Sequence, residues 1–258
     1  MHLESTLRAS RDTGRKLLVP YVTGGLGKDW LDVVRACSDA GADAIEIGIP
    51  FSDPVMDGVT IQEASQRSLD IGATPESVIA QASELDIAAP IAVMTYYNIV
   101  AHMGHARFAS LLANAGIDAA ILPDLPVDEM KRGGWDATAR SHGVECVLLA
   151  SPTTTDARLV EICAAASGFL YAVSLLGVTG ERKGLANTAA SMGARLKAAT
   201  DIPVLLGVGI STPEQAAEAS SHCDGVVVGS ALVRRLLQSG GPIEAHKFVA
   251  SLRAALDA

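Results

Sequence analysis

Short apolar runs recur along the chain, and alanine-rich segments with scattered polar residues separate them. The runs are rich in branched residues, which is typical of buried strands. The intervening segments, such as 30–40, 75–85, 105–115 and 156–166, carry apolar residues near helical spacing. The pattern predicts eight strands, at 17–22, 44–49, 91–95, 119–123, 146–150, 169–174, 203–208 and 225–229.

Alternating strands and helices predict a parallel sheet with crossover helices, an α/β fold. Eight units of roughly 32 residues each favour a closed (β/α)8 barrel, the TIM barrel. An open doubly wound sheet is the weaker alternative, because no G-x-G-x-x-G turn follows the first strand. We also expect a leading helix before the first strand and a short extra helix from Gly229 to near Leu237. No linker-like stretch divides the chain, so we expect one domain over residues 1–258.

The composition limits the kinds of molecule that the protein is expected to bind and where it is expected to work. The net charge is −9 and no run of five Lys or Arg residues occurs, which disfavours nucleic acid. The N-terminus lacks an apolar leader, and no apolar stretch reaches the ~18 residues of a membrane span. Four scattered cysteines are typical of reduced thiols. We therefore expect a cytoplasmic protein that does not enter the membrane.

The second predicted strand carries the strongest candidate for chemistry. Isoleucines occupy one face of the strand, whereas Ala44, Glu46 and Gly48 occupy the other. A carboxylate on a buried strand normally neutralises, pairs with a cation or takes part in a reaction. The loop that follows adds Asp57. Two carboxyl groups near one strand end indicate acid/base catalysis, and a structural ion pair is an equally open interpretation.

Glycine-rich turns follow the last three predicted strands. Glycine lets backbone N–H groups approach an anion, and a helix N-terminus adds unpaired donors and a favourable dipole. In barrels of this type, the turns after strands seven and eight often bind phosphate. Tight turns alone would also account for the glycines. The candidate phosphate-binding residues are Thr179, Gly180, Gly209, Gly229 and Ser230.

The residue types near the predicted strand ends exclude other chemistries. No lysine lies inside a predicted strand, which disfavours a Schiff base or covalently held pyridoxal phosphate. The histidines fall in predicted helices, loops or termini, without the spacing of a metal site. We therefore expect proton transfer on a phosphorylated substrate, without a metal or a cofactor in this chain.

With these residues in view, the chain closely resembles the tryptophan synthase alpha subunit family. The most specific match is EIGIPFSDP at 46–54, followed by Asp57-Gly58 and Ile61-Gln62. The resemblance covers nearly the whole length in the same order. Further matching stretches are 20–23, 96–98, 123–126, 177–180, 207–211 and 229–230.

The resemblance implies a carbon–carbon lyase of tryptophan biosynthesis that cleaves indole-3-glycerol phosphate to indole and glyceraldehyde 3-phosphate. Glu46 matches the general acid/base, and Asp57 matches the carboxylate that accepts the indole N–H. We expect enclosure to raise the pKa of Glu46, whereas Asp57 on a more hydrated loop stays ionised. An apolar slot for indole could be lined by residues that could equally be core packing: Tyr21, Met94, Ile121, Tyr171 and Val208.

The resemblance also implies a partner. A beta subunit would carry pyridoxal phosphate and receive indole directly, in an alpha-beta-beta-alpha heterotetramer, with 50–54 and 97–108 facing it. The chain departs from the family pattern at Val59 (usually proline), Met56 (usually small) and Val208 (often aromatic). These departures leave two alternatives open. One is a free-standing lyase that releases indole, and the other is a non-catalytic barrel that binds and activates the beta subunit.

Overall fold

A computed structural model shows a closed barrel of eight parallel strands in the order β1 to β8, with β8 beside β1. The structure describes residues 3–173, 182–207 and 209–258, and only the backbone within 182–190. The predicted TIM barrel is confirmed.

Each predicted strand has a counterpart, and the ends differ by one or two residues, where strands fray. Two predicted runs end at 174 and 208, which lie outside the described residues. The strands are β1 (Leu17–Thr23), β2 (Ile45–Gly48), β3 (Ile91–Met94), β4 (Ala119–Ile121), β5 (Glu145–Ala150), β6 (Leu170–Val173), β7 (Val204–Gly207) and β8 (Gly225–Val228).

Helices surround the barrel, and the predicted extra helix after the eighth strand is confirmed as α12. Threonine side chains cap α4, α9 and α11 by accepting a hydrogen bond from the third helical N–H, which explains where these helices begin. The described helices are α1 (Leu3–Asp12), α2 (Trp30–Asp39), α3 (Val59–Asp70), α4 (Pro75–Ala82), α5 (Tyr97–Met103), α6 (His105–Asn114), α7 (Val127–Gly133), α8 (Trp135–Ser141), α9 (Asp156–Ala165), α10 (Arg182–Ala199), α11 (Pro213–Ser220), α12 (Ser230–Leu237) and α13 (Pro242–Leu256).

The core has two layers because side chains alternate along each strand. Outward-facing residues such as Ile45 and Ile47 pack in the layer shared with the helices. Inward-facing residues such as Leu17 and Val19 fill the barrel, where Leu3 and Leu7 of α1 pack against them. Because α1 packs at the amino-terminal end of the barrel, the carboxyl ends of the strands are left to form a site.

A buried ion cluster lies at the amino-terminal end. Asp43 accepts hydrogen bonds from Arg15 Nε at 2.7 Å, Arg253 Nη1 at 3.0 Å and the Leu18 N–H at 2.8 Å. Arg253 Nη1 also donates to the Lys16 carbonyl at 2.8 Å. The cluster therefore ties α13 to the start of β1 and to the turn that enters β2.

Within the described ranges, no helix combines the length and apolar character needed to cross a membrane.

Candidate active site

A cavity of about 300 Å³ opens at the carboxyl ends of the strands, where barrel enzymes hold their chemistry. A larger cleft of about 530 Å³ beside α2 and α3 contains neither Glu46 nor Asp57. The structure brings nine predicted site residues onto the smaller cavity, namely Tyr21, Glu46, Asp57, Met94, Ile121, Tyr171, Gly209, Gly229 and Ser230. The other three, Thr179, Gly180 and Val208, lie outside the described residues.

Glu46 lies on β2 between Tyr21 of β1 and Ala92 of β3, which are its neighbours in the strand register. Its side chain is fully buried, and neither carboxyl oxygen has a hydrogen-bond partner among the described residues. Burial raises the pKa of Glu46 to about 8, and the negative charge of Asp57 adds to the rise. Glu46 can therefore both hold and release a proton near neutral pH.

Asp57 lies in the loop between β2 and α3, and the loop contacts the barrel through Tyr96. The Tyr96 hydroxyl donates to Asp57 Oδ2 at 3.2 Å and accepts from the Met56 N–H at 2.9 Å. Burial raises the pKa of Asp57, and the hydrogen bond from Tyr96 opposes this rise. Asp57 is thus less hydrated than its position on a loop led us to expect.

Two tyrosines occupy space that neighbouring glycines leave free. A Cβ atom at Gly48 would overlap the Tyr21 ring, and one at Gly207 would overlap the Tyr171 ring. Both rings therefore lie across the adjacent strand and line the cavity. Burial, reinforced by the nearby carboxylates, raises the pKa of both hydroxyls. The two hydroxyls consequently stay neutral at any working pH.

The start of α12 also lines the cavity, through Gly229 and Ser230. Gly229 precedes α12, and its carbonyl accepts from the N–H groups of Leu232 and Val233. The first N–H groups of a helix have no helical carbonyl four residues before them to bond. Those of Ser230 and Ala231 can therefore donate to an anion. Gly209 has a φ of 83°, a conformation that glycine adopts readily. No lysine or arginine is among the described residues that line this cavity.

The described part of the chain contains no group of three His, Cys, Asp or Glu residues placed to hold a metal ion.

The structure adds lining residues that we did not predict. Leu149, Val173 and Val227 face inward at strand ends, so the period-two alternation could have identified them. Tyr96 joins the site through its hydrogen bond to Asp57, and its signals were its position just after β3 and the matching stretch 96–98. The remaining additions come from loops and helix starts, namely Met56, Gly58, Ile61, Pro123 and Ile210.

Comparison with known proteins agrees with the geometry. A family model described as "Tryptophan synthase alpha chain" matches residues 7–254. The chain belongs to this family. It is 43% identical over 246 residues to the tryptophan synthase alpha chain of Streptomyces coelicolor, covering 92% of this chain and 88% of the relative. It is 48% identical over 206 residues to that of Methanosarcina mazei, covering 79% and 74%.

Solved structures of the alpha chain family share the fold. Tryptophan synthase subunit alpha from Legionella pneumophila superposes with a TM-score of 0.89 at 31% identity, covering 100% of this chain and 99% of that chain. A chain of Mycobacterium tuberculosis tryptophan synthase gives a TM-score of 0.89 at 35% identity, covering 98% and 97%. Cleavage of indole-3-glycerol phosphate is the known reaction of the family, and this chain is a lyase of tryptophan biosynthesis.

Proposed function

We propose that the chain, acting as a single domain over residues 1–258, cleaves indole-3-glycerol phosphate with Glu46 as the proton carrier and Asp57 as the electrostatic partner. One observation carries this proposal. Glu46 is fully buried without a hydrogen-bond partner among the described residues, and it lines the cavity that also contains Asp57 and the start of α12. A buried, unpaired carboxyl group facing a cavity is typical of a general acid/base.

Protonated Glu46 would first donate its proton to C3 of the indole ring, which leaves a positive charge centred on the ring nitrogen. The Glu46 carboxylate would then take the proton of the hydroxyl on the attached carbon. The O–H electrons form the aldehyde carbonyl while the C–C bond breaks, and its electron pair returns to the ring. Indole and glyceraldehyde 3-phosphate leave, and Glu46 is protonated again, so no net proton is consumed.

Asp57 would serve the same step without changing its protonation state. As a carboxylate it would accept the indole N–H and stabilise the positive charge that develops on the ring. The two carboxyl groups suit different roles because Glu46 is fully buried, whereas Asp57 also receives the Tyr96 hydroxyl.

The phosphate would bind to the backbone donors at the start of α12. Gly209, Gly229 and Ser230 line the cavity. We assign Thr179 and Gly180 to the same anion site. Neutral donors suit a substrate that must also leave, because a helix N-terminus attracts phosphate without a full opposite charge. Indole would then lie among the apolar side chains near Glu46, with Val208 included in that slot.

The proposed chemistry consists of proton transfers, so we propose that this chain needs no cofactor. We assign pyridoxal phosphate to a beta subunit that receives the indole. We also assign the assembly to the cytoplasm, where the four unpaired cysteines Cys37, Cys146, Cys163 and Cys223 would stay reduced.

The surface beside Asp57 supports a partner in an alpha-beta-beta-alpha heterotetramer. Val55 and Val59 are 84% and 80% exposed, and Met56 is 54% exposed. Several exposed apolar side chains around one catalytic loop are a recurrent sign of a protein interface. We propose that the beta subunit covers this loop together with the segments 50–54 and 97–108.

Turnover of indole-3-glycerol phosphate by the chain alone, and then with added beta subunit, tests the proposal. We expect slow turnover alone and strong stimulation by the partner. High turnover that the partner does not change would support the free-standing lyase. No turnover under either condition, despite complex formation, would support the non-catalytic barrel.

A further inference from the structure

We propose that Tyr96 is a positioning residue that orients Asp57 and holds its loop against the barrel. This inference rests on the proposed function, because it assumes that Asp57 acts on the substrate.

Tyr96 is anchored on the barrel side of the contact. It lies two residues after the end of β3, directly precedes the first residue of α5 and is 5% exposed. The first N–H of α5, that of Tyr97, donates to both carboxylate oxygens of Asp124, at 2.9 and 3.1 Å. The start of α5 is therefore hydrogen-bonded to the segment that follows β4. These bonds hold the backbone that carries the Tyr96 side chain.

The loop that carries Asp57 is held by the Tyr96 hydroxyl. The Tyr96 oxygen accepts from the Met56 N–H and donates to Asp57 Oδ2, so one hydroxyl contacts two consecutive loop residues. The Tyr96 ring also packs against Phe51, with 5.0 Å between the ring centroids and 32° between the planes. No proline restrains residues 55–58. Prolines restrain only the earlier part of the loop, so the Tyr96 contacts hold the part that carries Asp57.

The contact leaves Asp57 prepared for catalysis. Oδ2 receives the Tyr96 hydroxyl, and no described residue donates to Oδ1, so Oδ1 can accept the indole N–H. Burial and the carboxylates of Asp57 and Asp124 raise the pKa of Tyr96 to about 12, so it remains a neutral donor throughout the working range. A donor to a carboxylate favours its ionised form. The ionisable groups that face this pair from neighbouring elements are Glu46, Asp124, Tyr21 and Tyr171.

Tyr96→Phe tests the inference, because it removes the hydroxyl and keeps the ring that packs on Phe51. We expect kcat/KM to fall about tenfold near pH 7, the usual size for loss of a hydrogen bond to a charged group. We also expect the acid limb of the pH profile to move to higher pH, since the pKa of Asp57 rises without its donor. The deficit should therefore grow in acid. A profile that is lower at every pH without this displacement would show a merely structural role and overturn the inference.

A double-mutant cycle separates this inference from the proposed function. If Tyr96 acts through Asp57, adding Tyr96→Phe to Asp57→Ala should cost less than a further twofold. A full second tenfold loss would overturn the role of Tyr96 while leaving that of Asp57 intact. Near-normal turnover by Asp57→Ala alone would instead remove Asp57 from the proposed function. Thermal unfolding and glycerol 3-phosphate binding, which should be unchanged in Tyr96→Phe, show that the variant is folded.

Discussion

Two carboxylates three residues apart, one before β2 and one within it, face opposite ends of the barrel and have different partners. Asp43, just before the strand, has hydrogen bonds to Arg15, Arg253 and the Leu18 N–H. Glu46, within the strand, has no hydrogen-bond partner among the described residues. Both side chains are almost inaccessible to solvent. Burial alone therefore does not distinguish a structural carboxylate from a reactive one.

The hydrogen-bond partners of the two carboxylates distinguish their roles. At the amino-terminal end, two guanidinium groups compensate the charge of Asp43, so the group serves to join β1, β2 and α13. Glu46 instead faces the cavity at the carboxyl ends of the strands, and burial without a hydrogen-bond partner among the described residues raises its pKa. The β2 segment thus carries a structural group and a candidate catalytic group. Mutation of each group should therefore change a different measured quantity.

The largest expected effect is on turnover in Glu46→Gln. The amide keeps the size of the side chain but cannot carry the proton, so kcat should fall by roughly a hundredfold or more. Glycerol 3-phosphate binding should be retained and thermal stability should not fall, because no hydrogen bond from a described residue to Glu46 is lost. Near-normal kcat would remove Glu46 from the mechanism.

The matching change at the other end, Asp43→Ala, should affect stability instead. It leaves the nearly buried Arg253 with only the half-exposed Asp257 as a carboxylate partner among the described residues. Removing one partner of a buried ion pair typically costs ~3 kcal/mol or more in the free energy of unfolding. Urea denaturation measures this loss. Turnover per folded molecule at low temperature should stay within a few-fold of the original. A hundredfold loss of turnover in folded protein would contradict the separation of the two ends.

A third change tests whether the phosphate binds at the start of α12. Ser230→Asp places a negative charge at the start of α12, and like-charge repulsion should raise KM at least tenfold. Ser230→Ala is the matched control, since it removes a hydroxyl without adding charge and should raise KM only a few-fold. If KM is the same in both variants and in the original, phosphate binds elsewhere.

The smallest expected effect is the dependence of kcat/KM and of stability on pH. Because the first step needs protonated Glu46, kcat/KM should fall about tenfold per pH unit above about pH 8. The same raised pKa sets how Glu46 contributes to the free energy of unfolding. This contribution is highest below about pH 4.5, falls as pH rises and levels off above about pH 8. Glu46→Gln should lose this part of the pH dependence. Identical unfolding curves against pH for both proteins would mean that Glu46 is not perturbed in the fold.

The sequence alone determined the barrel and much of the cavity lining. Side chains alternate strictly along a strand, so the position of Glu46 opposite a row of isoleucines predicts that it faces inward. The same parity places Tyr21, Met94, Ile121 and Tyr171 on one cavity once the strand ends are known. The face that each side chain occupies is a local property, because it depends on residues that are neighbours in the sequence.

Tertiary structure decided what each buried group does. The sequence left Glu46 open between an ion pair and an acid/base, and it drew no attention to Asp43. Closing the barrel brings Arg253 to Asp43 from 210 residues away. It brings no cation among the described residues within hydrogen-bonding distance of Glu46. Likewise, Tyr96 meets Asp57 across 39 residues. Such distances between remote segments depend on the packing of the whole chain, so no local pattern encodes them.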